Sequence, residues 1–227
     1  MSKKNKEGFE TRAIHAGQKA DPTTGAVMMP IYTSSTFEQE SPGVHKGFDY
    51  SRSINPTRKA FEECIASLEN GEVGFGFSSG VAAISACVEL LSPGDHVIAM
   101  NDLYGGTVRL FNEIKTLSQG IEVTYVDMTN MQNVLEAKTD KTKMIFVETP
   151  TNPLLRVVDL SAIADFAKSE NLLSVCDNTF ASPYVQQPLN YGIDIVLHSA
   201  TKYLGGHSDL IAGALVIGKK DDELISK

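Results

Sequence analysis

From position 73 onward, short apolar runs alternate with stretches of helical period, and that alternation restricts this chain to few architectures. Val73–Phe77 reads as a strand, and residues 81–91 read as a helix closed by Ser92-Pro93-Gly94-Asp95. His96–Met100 is a buried-strand candidate, and Val108, Phe111, Ile114 and Leu117 mark a helix face. Further strand runs stand at 144–147, 172–176, 193–197 and 214–217, with Leu160, Ile163, Phe166 and Ala167 helical between two of them. The pattern predicts an α/β fold with a mostly parallel sheet and flanking helices. Ligands on such sheets gather beyond the carboxyl ends of the strands.

The body, 55–227, opens on a helix. Asn55 caps it, Pro56 fits the first turn, Phe61, Cys64, Ile65 and Leu68 follow at helical spacing, and Asn70-Gly71 ends it. Residues 1–54 differ: rich in Gly, Pro, Ser and Thr and without a long amphipathic period, they predict an extended arm rather than a packed helix. Such an arm needs another surface to lie on.

Composition narrows the partners. With 227 residues, 42% hydrophobic and 21% charged, the chain can bury a core in one large domain or two small ones. A net charge of −8 argues against nucleic acid or an anionic membrane. Polar residues interrupt every apolar run well short of ~18 residues, so no transmembrane span is predicted. The basic start, Met1-Ser2-Lys3-Lys4, is not followed by a signal-peptide core. Cys64, Cys87 and Cys176, widely spaced and without a CxxC pair, read as reduced thiols of a cytoplasmic protein. The five histidines are scattered, and no metal site is expected.

Chemistry concentrates at the predicted strand ends. After Val73–Phe77 comes Ser78-Ser79-Gly80-Val81, where a helix begins; its unpaired amides suit a phosphate, although small residues there also serve as a plain cap. The glycines of this stretch do not match the dinucleotide fingerprint, and no P-loop lysine follows. Glu148-Thr149-Pro150-Thr151-Asn152-Pro153 is either a rigid turn or a loop presenting Asn152 to a ligand oxygen. Asp177 ends an apolar run; it either caps a turn or meets a cation such as a protonated pyridine nitrogen. The run at 193–197 breaks into His198-Ser199-Ala200-Thr201-Lys202-Tyr203. There an amine positioned for a carbonyl ligand is flanked by two hydroxyls suited to a phosphate.

That last segment resembles the Schiff-base lysine site of the Cys/Met-metabolism family of pyridoxal-phosphate (PLP) enzymes, and the likeness extends through nearly the whole chain. Tyr50-Ser51-Arg52 with Asn55-Pro56-Thr57-Arg58 resembles the family's arm motif, although Ile54 stands where a small residue is usual. The resemblance implies that Tyr50 and Arg52 reach a neighbouring subunit's phosphate. It implies that Gly80 and Val81 bind phosphate through their amides, and that Tyr104 of Leu103-Tyr104-Gly105-Gly106-Thr107 stacks on the ring. Asp177, Thr179, Ser199, Thr201 and Lys202 match the remaining cofactor contacts, with Glu148 and Asn152 behind them.

The fold implied is the large domain of the aspartate aminotransferase type (fold type I). It also implies a C-terminal substrate domain, carrying the arginine for the substrate carboxylate, that these residues do not include. The activity implied is a carbon–sulfur lyase of trans-sulfuration cleaving cystathionine by β- or γ-elimination, with Lys202 moving the Cα proton and Tyr104 as acid–base. Its partners would be a small sulfur amino acid and further copies of itself, as a dimer of shared sites or a tetramer. Gly106 stands where methionine γ-lyases carry a cysteine, and His207-Ser208-Asp209 resembles cystathionine lyases and γ-synthases. Cystathionine γ-synthase is therefore the alternative, and a non-catalytic PLP-binding module, which would have no need of Lys202, is the reading from another class.

Overall fold

The computed structural model describes residues 7–218. The basic start and the last residues of the body lie outside them. Within the arm the structure adds a helix that no long period announces: α1, Phe9–His15. Arg12 of α1 is buried and donates to the Ser67 carbonyl and, at 3.1 Å, to Asn70 Oδ1. One arginine tying the helix down explains why a helix of about two turns needs no apolar stripe. Among the described residues, the rest of the arm has a small hairpin, β1 Gln39–Ser41 and β2 Val44–His45, and a single bridge between Thr36 and Tyr50.

The first body helix, α2 (Pro56–Leu68), forms as its cap predicts: the Asn55 side chain accepts the amides of Thr57 at 2.9 Å and Arg58 at 3.3 Å. Then follow β3 (Val73–Phe77), α3 (Gly80–Val88) and β4 (His96–Met100). A long helical stretch comes next: α4 (Gly105–Arg109), a π-helical turn (Leu110–Lys115) and α5 (Thr116–Gln119). The chain continues through β5 (Glu122–Val126), α6 (Met131–Ala137), β6 (Thr142–Glu148), α7 (Leu160–Ser169) and β7 (Leu173–Asp177). The described residues end with α8 (Ser182–Val185), a 3₁₀ turn (Pro188–Tyr191), β8 (Ile195–Ser199) and β9 (Gly213–Ile217).

Seven strands make one sheet in the order β3-β9-β8-β7-β6-β4-β5. Neighbours from β8 to β5 pair in parallel, and β9 runs antiparallel between β3 and β8. The mostly parallel α/β sheet expected from the alternation is therefore the observed one. Its middle strands are mostly apolar because helices cover both faces; Ile145, Phe146, Val175 and Val196 are fully buried. β5 lies at the edge, and its mixed Glu122-Val123-Thr124-Tyr125-Val126 kept it out of the apolar runs.

The helix face expected from Val108, Phe111, Ile114 and Leu117 is corrected. Phe111 is fully buried, but Ile114 is 53% and Leu117 78% exposed. The wide turn at Leu110–Lys115 inserts an extra residue into the repeat, so the inward face passes to Phe111 and Lys115, and Lys115 pairs with Glu89.

Candidate active site

Register sets the site. Phe77 pairs with Gly213 and Gly213 with Ser199, so the ends of β3 and β8 lie in one row across the sheet. Glu148 pairs with Asp177 and Asp177 with Leu197, which places two carboxyl groups side by side, two residues before Ser199 along β8.

The turn from β3 into α3 crosses directly over the end of β8. A Cβ on Gly80 would stand 2.7 Å from Ser199 Cβ, so only glycine permits that approach. Ser79 caps the helix, its hydroxyl accepting the Ala82 amide at 3.1 Å and its carbonyl the Ala83 amide at 3.1 Å. The helix's own bonds thus leave the Gly80 and Val81 amides pointing out of its positive end, next to the Ser199 side chain. This arrangement can hold an anion.

Asp177 is buried and accepts the Thr179 amide at 3.0 Å. The Thr179 hydroxyl in turn accepts the Ser199 amide at 2.8 Å, which ties the two strand ends together. Burial raises the Asp177 carboxyl above its usual range, and the Thr179 bonds and His198 only partly oppose that. Glu148 beside it is pushed up to about 8, first by burial and then by Asp177, against the amides of Tyr104 and Asn152. The Tyr104 amide reaches Glu148 Oε2 at 3.0 Å. Among the described residues no lysine or arginine pairs with either acid. A buried carboxylate in this state favours a cationic ligand.

Lys202 begins at the end of this row. Its amide donates to the Ser199 carbonyl at 3.1 Å, and Gly206 closes the turn on the Lys202 carbonyl at 2.8 Å, leaving the side chain exposed. Thr201 is held by Ala212: its hydroxyl accepts the Ala212 amide at 3.1 Å and donates to the Ala212 carbonyl at 3.2 Å.

The sequence profile of the Cys/Met metabolism PLP-dependent enzymes matches residues 10–227. The chain belongs to that family. A cystathionine beta-lyase of Coxiella burnetii is 58% identical over 213 residues, covering 94% of this chain and 55% of that protein. A cystathionine gamma-lyase of Dictyostelium discoideum is 49% identical over 100% of this chain and 58% of its own length. The solved cystathionine gamma-lyase from Lactobacillus plantarum, complexed with L-serine, superposes with a TM-score of 0.91 at 52% identity, over 94% of this chain and 55% of its own. The chain thus spans about half the length of the curated relatives it matches.

The family's cofactor, PLP, is an anionic phosphate joined to a basic pyridine carrying an aldehyde. The residues present fit all three parts: an amide pair beside Ser199 for the phosphate, a buried carboxyl with no lysine or arginine paired to it among the described residues for the ring nitrogen, and an exposed lysine three residues beyond Ser199 for the aldehyde. Tyr104, 45% exposed, joins this region through its amide on Glu148 and lays its ring against Gly106, where a Cβ would come within 2.3 Å of Tyr104 Cε1. A cysteine at that position would need the ring to move. Asn152 is exposed and touches the site through its amide on Glu148.

Two expected residues stand apart. Arg52 lies over the Tyr50 ring at 4.9 Å, and among the described residues no contact joins the pair to Gly80, Ser199 or Lys202. Conversely, sequence reasoning passed over a buried polar group beneath the site, built on Glu69, Asn178 and His198. A histidine ending an otherwise apolar strand run was the available signal.

Proposed function

We propose that this chain supplies the cofactor-binding part of a PLP-dependent carbon–sulfur lyase that cleaves cystathionine. The observation that carries it is the buried Asp177, without a cationic partner, in one hydrogen-bonded row with Thr179 and Ser199 at the end that leads to Lys202. Likeness to lyases of both β and γ type, at 58% and 49% identity, supports the chemistry and leaves the scissile bond to experiment.

Each residue then has a task. The Gly80 and Val81 amides with the Ser199 hydroxyl hold the phosphate, joined by the Thr201 hydroxyl once its hydrogen turns from the Ala212 carbonyl. Asp177 keeps a proton on the ring nitrogen, and Thr179 keeps Asp177 in place. Lys202 is the covalent anchor, and its amine carries the substrate's Cα proton once it is displaced. Tyr104 covers the ring and supplies a hydroxyl for proton transfer to the departing sulfur. Asn152 steadies the ring's oxygen side, and Glu148 holds Tyr104 through its amide. PLP, when bound, supplies the electron sink that makes Cα acidic.

Residues 55–227 form the binding body in this reading, and residues 1–54 reach a second copy, where Tyr50 and Arg52 complete the phosphate seat. The assembly is a homodimer of shared sites or a tetramer of such dimers. The three free cysteines, two of them buried, support a cytoplasmic setting.

The test is a product assay on the intact protein with PLP and cystathionine. β-Elimination gives homocysteine, pyruvate and ammonia; γ-elimination gives cysteine, 2-oxobutyrate and ammonia. Formation of cystathionine from an activated homoserine and cysteine, with no cleavage, would establish the synthase alternative. PLP uptake with no turnover of either kind would sink the enzyme reading in favour of a binding module.

A further inference from the structure

Side chains alternate across a strand, so the residues next to Glu148, Asp177 and Ser199 face away from the cofactor region. Those neighbours are Thr149, Asn178 and His198, and each is at most 1% exposed. Asn178 and His198 converge on one carboxylate, and Thr149 is tied to them through its backbone carbonyl. Glu69, at the C-cap of α2 and fully buried, has Oε1 2.8 Å from Asn178 Nδ2 and 2.6 Å from His198 Nε2. The second Asn178 Nδ2 hydrogen goes to the Gln186 carbonyl at 2.8 Å, while Asn178 Oδ1 accepts Gln186 Nε2 at 2.9 Å. Gln186 Nε2 also reaches the Thr149 carbonyl at 3.0 Å. The ends of β6, β7 and β8 are therefore joined beneath the site through a single oxygen and a single amide.

An acid buried this deeply is expensive unless its hydrogen bonds are kept, so each bond resists displacement of the strand end it holds. Glu69 Oε2 and His198 Nδ1 have no partner among the described residues, which leaves the grip to Oε1 alone. Drawing Asn178 or His198 away by an ångström would break a buried hydrogen bond to Glu69 and shift Asp177 or Ser199 with it.

We infer that Glu69 and His198 are positioning residues that set the distance between the ring-nitrogen acid Asp177 and the phosphate-side Ser199. This rests on the cofactor reading above and goes beyond it in assigning the side chains on the opposite face of the sheet.

Histidine offers a rescue test, because glutamine places an amide nitrogen near Nε2 whereas asparagine places one near Nδ1. Apoprotein variants of the intact protein are titrated with PLP, and the phosphorus-31 resonance of bound PLP reports the phosphate seat. Thermal midpoints of the apoproteins monitor folding. Loss of a charge-assisted hydrogen bond corresponds to at least about a tenfold change. We therefore expect Glu69→Ala and His198→Asn to weaken PLP binding about tenfold or more and to move the phosphorus signal. His198→Gln should restore both. If Glu69→Ala fails to fold, the comparison of His198→Gln with His198→Asn decides alone. Unchanged affinity and signal in both, with only the melting point lowered, would overturn the inference and leave a fold-stabilising cluster. Equal losses in both would overturn it too, since the ring rather than its Nε2 donor would then matter. A parent that takes up no PLP overturns the cofactor reading itself, and the parent titration tells the two failures apart.

Discussion

Glu148 and Asp177 stand side by side at the ends of neighbouring strands, both buried and both titrating above the usual carboxyl range. Without a cation, the folded protein favours the protonated acid. The stability gained is complete below the ordinary value of 4.5 for Glu148 and is lost as the pH rises through about 8. The cofactor-free protein should therefore melt at a lower temperature near pH 9 than near pH 5, and Glu148→Gln should flatten that slope. A slope unchanged by Glu148→Gln would assign the effect elsewhere. The identity of these groups was legible: a strand-ending acid, a lysine between hydroxyls and a Ser-Ser-Gly turn all stood out in the sequence. Their electrostatic state was not, because burial depends on which strands become neighbours.

At the level of elements, the contact between the start of α3 and the end of β8 decides whether an anion seat exists. Alanine usually stabilises a helix over glycine by ~1 kcal/mol. At Gly80, however, the new Cβ would meet Ser199 at 2.7 Å, and forced overpacking costs ~1–3 kcal/mol. The clash wins. Gly80→Ala should lower stability in denaturant titrations by up to ~2 kcal/mol, the overpacking cost less the helix gain, and weaken PLP binding together with it. A variant as stable and as tightly binding as the parent would show that the two elements can separate freely. Element types followed from local pattern: Asn55-Pro56 set the start of α2, and β-branched runs set the central strands. What local pattern missed was local exception. The π turn at Leu110–Lys115 rotated an apolar face, and α1 is held by the buried Arg12 rather than by periodicity.

At the scale of the whole molecule, Tyr50 and Arg52 of the arm pair with each other, and among the described residues no contact joins them to the strand-end residues. If they serve a second copy, Arg52→Ala should weaken PLP binding by ~1.5–3 kcal/mol, the range for a charge-assisted bond. Mixing Arg52→Ala protein with Lys202→Ala protein should restore lyase activity, because each mixed dimer has one site with both residues native. No recovery after subunit exchange would place Arg52 and Lys202 in the same chain's site. The sequence by itself determined the class of fold, through strand and helix periods, and the family, through short motifs whose chemistry is written in consecutive residues. Only the tertiary structure decided that Gly80 seats on Ser199, that Asp177 and Glu148 share one buried row, and that Glu69 grips the ends of β7 and β8 while Gln186 ties in that of β6. Those relations join residues tens of positions apart. They arise from the order β3-β9-β8-β7-β6 in the sheet, an order set by packing of the whole chain and absent from any local run.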